Sequence, residues 1–186
     1  MGIALADAAA EYGAEVELVL GPVNRAPQNK TIKIINVTSA ESMADECIAR
    51  FRDCDIAILA AAVADFTPEK IEERKIKRTG DEILLRLKPT KDIAEAVGKM
   101  KSKSQILAGF ALETHNELAN ATAKLKRKNL DIIIMNSMQD NGAGFGYDTN
   151  RITIIDKSNN IDKFELKSKE ETAKDILDKI VSMLKS

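Results

Sequence analysis

The sequence predicts an α/β fold with a largely parallel sheet flanked by helices, and three observations predict it. Apolar runs of strand length recur along most of the chain: Val16 to Leu20, Ile32 to Val37, Ile56 to Ala60, Ile83 to Leu87, Ile106 to Phe110 and Ile132 to Met135. Helical patterns separate them, near Ile3 to Tyr12, Ala40 to Arg52, Lys91 to Lys101 and Glu117 to Asn129. After Asn150 the alternation stops. Arg151 to Asp156 and Lys163 to Leu166 flank the polar turn Lys157 to Asp162 and read as a C-terminal antiparallel hairpin, followed by a last helix from Ser168 to Leu184.

The elements follow in order from local chemistry. Gly13 closes the first helix, where a left-handed residue is needed. The run Ile56 to Ala60 continues into AAAVADF, Ala60 to Phe66, and then into the lysine-rich segment Pro68 to Gly80. Thr90 is a candidate cap for the helix at Lys91 to Lys101, with Asp92 as an alternative stabiliser of its first turn. On the helix after Phe110, Leu118, Ala121, Leu125 and Asn129 form one stripe. The richest loops are Pro22 to Lys30, Thr67 to Gly80 and Ser137 to Asn150, the last carrying Gly142, Gly144 and Gly146. No repeat or linker divides the chain, so residues 1–186 read as a single domain. Rossmann-like folds normally open on a central strand and a phosphate-cradling turn, whereas this sequence opens on a helix, so a preceding piece is expected. The three late glycines do not replace it, because GxGxxG needs a strand before it and a helix after it. A nicotinamide oxidoreductase is therefore disfavoured.

Composition narrows the function classes. The chain is 44% hydrophobic and 31% charged, with a net charge of -1 and no Trp, which gives no general case for nucleic acid. No apolar run approaches the roughly 20 residues of a membrane helix, and no secretory signal opens the chain, so it reads as cytoplasmic. Cys47 and Cys54 lie seven apart on a predicted helix without a CxxC pair and read as buried free thiols rather than metal ligands. His115, the sole histidine, reads as a surface or capping residue at a helix start.

The candidate site lies at the end of Ile56 to Ala60. Small residues such as Ala60 and Ala61 let a ligand approach the backbone, Asp65 supplies a carboxylate, and Lys75 and Lys77 bring cations to one side of a flap. Alanine-rich strand ends also occur where a helix packs tightly, and such an Asp can be only a cap. Lys124 and Lys128 stand four apart, a spacing that costs a few tenths of a kcal/mol in water and that a shared polyanion would reverse. The same run with Lys126 and Arg127 also suits a solvated helix end. Lys88, Pro89, Thr90, Lys91 and Asp92 join a strand to a helix, where free N–H groups favour an anion. In GFALET, Gly109 to Thr114, Phe110 offers a ring to a planar ligand or packs in the core, and Glu113 offers a polar contact. Glu72, Glu73 and Arg74 suit an ordinary solvated loop.

In order, the motifs MGIALADAAAEYGAEVELVLGPV, AAAVADF, KIKR, LKPTKDI, GFALET, AKLKRKNLDIIIMN and GFGYDTNRITII make the chain resemble the phosphopantothenoylcysteine synthetase family, the second activity of the bifunctional coenzyme A biosynthesis flavoprotein. The resemblance implies ligation of 4′-phosphopantothenate to cysteine with a nucleoside triphosphate, CTP or alternatively ATP, and Mg²⁺. In that chemistry the carboxylate attacks the α-phosphorus, pyrophosphate leaves, and the cysteine amine captures the acyl-nucleotidylate. Carried over residue by residue, the nucleotide pocket is Ala60, Ala61, Asp65, the turn Lys88 to Ile93, Phe110, Lys124 and Lys128, with Lys75 matching a functionally important flap lysine. The resemblance also implies a homodimer and a fused or associated phosphopantothenoylcysteine decarboxylase. The family's first strand, its Gly-Thr turn and a segment with Arg, Asn and Ser-Ser-Gly are absent, so the domain is expected to be N-terminally truncated. A nucleotide-binding or regulatory module without full turnover is the alternative.

Overall fold

The computed structural model describes residues 1–70, 74–76, 80, 83–113, 115–137 and 148–184. Helix α1 (Gly2–Glu11) ends at Gly13, whose φ of +87° is the left-handed value that glycine adopts without a Cβ penalty. Strands β1 (Glu17–Leu20) and β2 (Lys33–Asn36) pair in parallel as a separate two-stranded sheet. The crossover between them carries no helix. Asp7 of α1 holds it instead, its Oδ1 accepting the N–H groups of Gln28 and Asn29 at 2.8 Å each. Helix α2 (Ala40–Phe51) starts at a reciprocal capping box between Ser39 and Ser42.

The main sheet is built from β3 (Ile56–Leu59), β6 (Ile106–Glu113), β7 (Ile132–Ser137), β9 (Ile152–Asp156) and β10 (Ile161–Lys163), in the order β10-β9-β7-β6-β3. β3, β6 and β7 are parallel; β9 runs antiparallel to β7, and β10 to β9. Alternation along the strands splits the core into two layers. Ile132, Ile134, Ile152 and Ile154 meet Leu5 and Ala8 of α1 and Ala173, Ile176 and Ile180 of α5 (Lys169–Leu184). Leu107, Ile133 and Ile155 meet Phe51 of α2, Val97 of α3 (Ile93–Met100) and Leu125 of α4 (Glu117–Arg127). The result is a mixed α/β sandwich with a mostly parallel centre, as expected. Among the described residues, no helix is long and apolar enough to cross a membrane.

Several local expectations are corrected. The apolar run Ile83 to Leu87 is not a core strand: Leu84 is 92% exposed, and the paired strand is β5 (Leu87–Pro89), antiparallel to β4 (Phe66–Pro68) in a separate ribbon. The third helix is capped by Asp92, whose Oδ1 accepts the Glu95 N–H, and not by Thr90. Leu118 is 41% exposed, so the buried stripe of α4 comes down to Ala121 and Leu125. Cys54 lies beyond the end of α2; both thiols are free and half-buried, and burial pushes both pKa values up. The second hairpin strand is Ile161–Lys163 rather than Lys163 to Leu166, because Asp156 gathers the Ser158 and Asn160 N–H groups and tightens the turn. A further pair, β8 (Thr149–Asn150) with β11 (Lys167–Ser168), ties the hairpin region to the start of α5. Glu72, Glu73, Lys77, Thr114, Gly142, Gly144 and Gly146 lie outside the described residues.

Candidate functional site

The site is built where the parallel strands end. β3 stops at Leu59, and Ala60 to Ala64 lead without regular structure to Asp65. Ala60 is half-buried, its Cβ lying 3.7 Å from where a Cβ on Gly2 would stand, so the head of α1 closes one side of the strand end. Ala61 and Asp65 are exposed. Two bonds from Thr90 fix the turn: its N–H donates to the Asp65 carbonyl at 2.9 Å and its hydroxyl to the Ala64 carbonyl at 2.6 Å. Thr90, expected as a helix cap, is instead a clasp between the strand-end turn and the start of α3. Phe66 facing Pro89 in the β4–β5 ribbon continues the same junction, so Lys88 and Pro89 are held by pairing.

From the other side comes Lys128. Helix α4 packs against α3 so closely that a Cβ on Gly98 would stand 2.0 Å from the Lys128 carbonyl oxygen. Asn129, at φ +52°, donates from Nδ2 to the Gly98 carbonyl at 2.8 Å and locks that approach. From there the Lys128 side chain reaches the head of α3, its Nζ 2.9 Å from Asp92 Oδ2. Burial opposes ionisation of Asp92, but the Lys128 ammonium and the Glu95 N–H outweigh it and hold the carboxyl below its ordinary value. Lys91 extends toward Asp45 of α2 at 3.7 Å, and Ile93 begins α3 and packs on the core. Lys124, one turn before Lys128 on α4, is half-buried.

Phe110 lies on β6 opposite Ile134 and packs partly on the core while staying incompletely covered. On the next strand, Asn136 pairs in register with Leu112, and its buried Oδ1 has no hydrogen-bond partner among the described residues. A carboxamide in that state at the carboxyl end of a parallel strand is a ready acceptor for a ligand donor. The sequence reading missed it; its only signal was a polar residue closing the run IIIMN.

The structure thus brings Ala60, Asp65, Thr90, Asp92 and Lys128 to one junction, with Phe110 and Asn136 on the adjoining strands. It does not bring in Lys75, which is exposed between β4 and β5; no contact among the described residues joins it to the strand ends. His115 is exposed just before α4, its carbonyl accepting from Asn120 Nδ2 at 3.0 Å. A cavity of about 320 Å³ lined by Phe51, Cys54, Met100 and Gln105 opens at the opposite end of the sheet. Ligands of open α/β sheets bind at the carboxyl ends of the strands, which makes the junction, rather than that cavity, the candidate site.

Comparison with known proteins bears on the same chain length. A relative from an unknown prokaryotic organism, named cysteine/cysteine sulfinic acid decarboxylase, is 62% identical over 184 residues, 99% of this chain and 51% of the relative. The coenzyme A biosynthesis bifunctional protein CoaBC of Bacillus subtilis is 41% identical over 185 residues, 100% of this chain and 45% of that protein. The chain therefore spans about half the length of the curated relatives it matches. The crystal structure of the C-terminal domain of a coenzyme A biosynthesis bifunctional protein CoaBC superposes with a TM-score of 0.83 at 33% identity, covering 99% of this chain and 82% of that one. The model of the DNA/pantothenate metabolism flavoprotein C-terminal domain matches residues 1–184, so strand ends, clasp and lysine helix all fall inside one known domain, and the chain belongs to that family.

Proposed function

We propose that this domain ligates 4′-phosphopantothenate to cysteine, using a nucleoside triphosphate, CTP in preference to ATP, through an acyl-nucleotidylate. The observation that carries the reading is the delivery of Lys128 to Asp92, two residues from the Thr90 clasp on the strand-end turn, in a chain that belongs to the family of the DNA/pantothenate metabolism flavoprotein C-terminal domain. Attack of the substrate carboxylate on the α-phosphorus expels pyrophosphate, and the charge that develops needs preorganised cations. Lys124 on α4 and Lys128 at its C-cap would supply them, and Lys75 a third from the segment between β4 and β5. A point charge on a flexible stem suits each role. Mg²⁺ would arrive with the nucleotide and neutralise part of its charge, since among the described residues no group of three or more His, Cys, Asp or Glu is placed to hold a metal ion. Ala60 and Ala61 would let the nucleotide approach the backbone at the strand end, Phe110 would offer its ring to the base, and Asn136 Oδ1, unpartnered among the described residues, would accept a ligand donor. The cysteine amine then displaces the nucleoside monophosphate and forms the amide.

The expected fused or associated decarboxylase is proposed from the bifunctional relatives, of which the Bacillus subtilis protein is covered by this chain over only 45% of its length. A homodimer is part of the proposal. Phe66, Ile83, Leu84, Leu85 and Leu87 leave an apolar surface on and beside the β4–β5 ribbon, and a second copy would cover it. The test is pyrophosphate release with 4′-phosphopantothenate, cysteine, Mg²⁺ and CTP or ATP in turn, beside calorimetric nucleotide binding. Turnover with one triphosphate supports the ligase and names its nucleotide. Binding without turnover supports the nucleotide-binding module, and absence of both rejects the site.

A further inference from the structure

One carboxylate serves two groups at the start of α3. Asp92 caps the helix through Oδ1 and the Glu95 N–H at 3.0 Å, and holds Lys128 Nζ through Oδ2 at 2.9 Å. The lysine side chain is only 16% exposed, the carboxylate 40%. An ammonium so far removed from water needs an anion, and its backbone is fixed against Gly98, so it cannot simply withdraw. Two residues before Asp92, Thr90 ties the same segment to the carbonyls of Ala64 and Asp65. The internal carboxylate therefore stands next to the turn where the phosphates are placed.

We propose that Asp92 is an internal competitor for Lys128: it neutralises the ammonium when no ligand is present, yields it to a phosphate group on binding, and takes it back as pyrophosphate leaves. This rests on the nucleotide reading of the site and extends it, because it gives a capping residue control over how tightly the departing polyanion is held. A phosphate gains Lys128 only by breaking or sharing an existing pair, and it meets the repulsion of a carboxylate while doing so. The carboxyl stays ionised at neutral pH, so the competition operates whenever the enzyme does.

Asn and Ser are also strong helix caps, so Asp92→Asn and Asp92→Ser remove the charge and keep the helix start. The probe is inorganic pyrophosphate, titrated calorimetrically into wild type, Asp92→Asn, Asp92→Ser, Lys128→Gln and the Asp92→Asn/Lys128→Gln double variant. Both neutral variants should bind it about five- to tenfold more tightly, the effect of one uncompensated charge. Lys128→Gln should bind it more weakly, and Asp92→Asn should tighten binding much less in that background, where only the carboxylate's repulsion is left to remove. Unchanged or weaker binding in the Asp92 variants would show a cap and brace only and overturn the proposal. Equal tightening with and without Lys128 would overturn it too, as a general effect of net charge. Pyrophosphate binding by no variant would reject the nucleotide reading itself, an outcome distinct from the other two.

Discussion

Gly98→Ala tests whether the lysine helix is held where the site needs it. The added Cβ would stand 2.0 Å from the Lys128 carbonyl oxygen and 3.0 Å from its carbonyl carbon, far inside the 3.4 Å of ordinary contact, and both atoms are backbone that cannot rotate away. Helix propensity alone favours the change by about 1 kcal/mol, whereas overpacking costs about 1–3 kcal/mol and the Asn129 to Gly98 hydrogen bond, if broken, about 1 kcal/mol more. The net expectation is a loss of about 1–3 kcal/mol, which for a chain of this length lowers Tm by roughly 2–4 °C per kcal/mol. Separation of α3 from α4 should also part Lys128 from Asp92 and weaken CTP binding. Urea unfolding and calorimetry read the two effects together. A variant as stable as wild type, or more stable as propensity alone predicts, would refute the close packing and the fixed delivery of Lys128.

Three other outcomes follow from the same structure. Burial opposes ionisation of Asp131, but Lys101 at 2.6 Å, the Leu107 N–H at 2.8 Å and Lys157 at 3.1 Å outweigh it and hold its carboxyl below the ordinary value. A depressed folded pKa contributes stability that is present above the unfolded value of about 3.9 and lost as pH falls through the folded value. Asp131→Asn should thus be destabilised at pH 7 and show a flatter fall below about pH 4 in urea titrations; an unchanged acid limb would contradict this. Asn136→Ala should leave stability within about 1 kcal/mol, since its Oδ1 bonds nothing among the described residues, yet weaken CTP binding about tenfold. A large stability loss with unchanged binding would mark a structural role. Lys75→Ala should lower kcat by about a hundredfold or more while the Kd for CTP moves by less than about threefold; equal losses in both would make Lys75 a binding residue.

The strands of the main sheet were legible because Ile132 to Ile134 and Ile152 to Ile155 are buried on both faces, which leaves continuous apolar runs. The β4–β5 ribbon was not. Its register, Thr67 opposite Lys88, joins residues about twenty apart, and the apolar run beside it, Ile83 to Leu85, faces solvent instead of a core. Burial is a property of the assembled chain, so apolarity alone misassigned that run. At the site, the residue types were readable and their partners were not. Spacing on α4 flagged Lys128 but could not tell that a glycine on another helix brings it to Asp92. Thr90 and Asp92 are both good caps, and only the tertiary position of Ala64 decides which one caps α3. Asn136 carried no signal beyond its place at the end of an apolar run, because an unsatisfied oxygen is defined by its surroundings.

The central claim is nucleotidyl transfer to a carboxylate at the strand-end junction, and product stoichiometry tests it most directly. With 4′-phosphopantothenate, cysteine, Mg²⁺ and CTP, quantitative mass spectrometry and phosphorus NMR should find CMP, pyrophosphate and phosphopantothenoylcysteine in equal amounts, with pyrophosphate still released once per site when cysteine is withheld. CDP with inorganic phosphate, or amide formed without nucleotide cleavage, would contradict attack at the α-phosphorus and with it the account of the site.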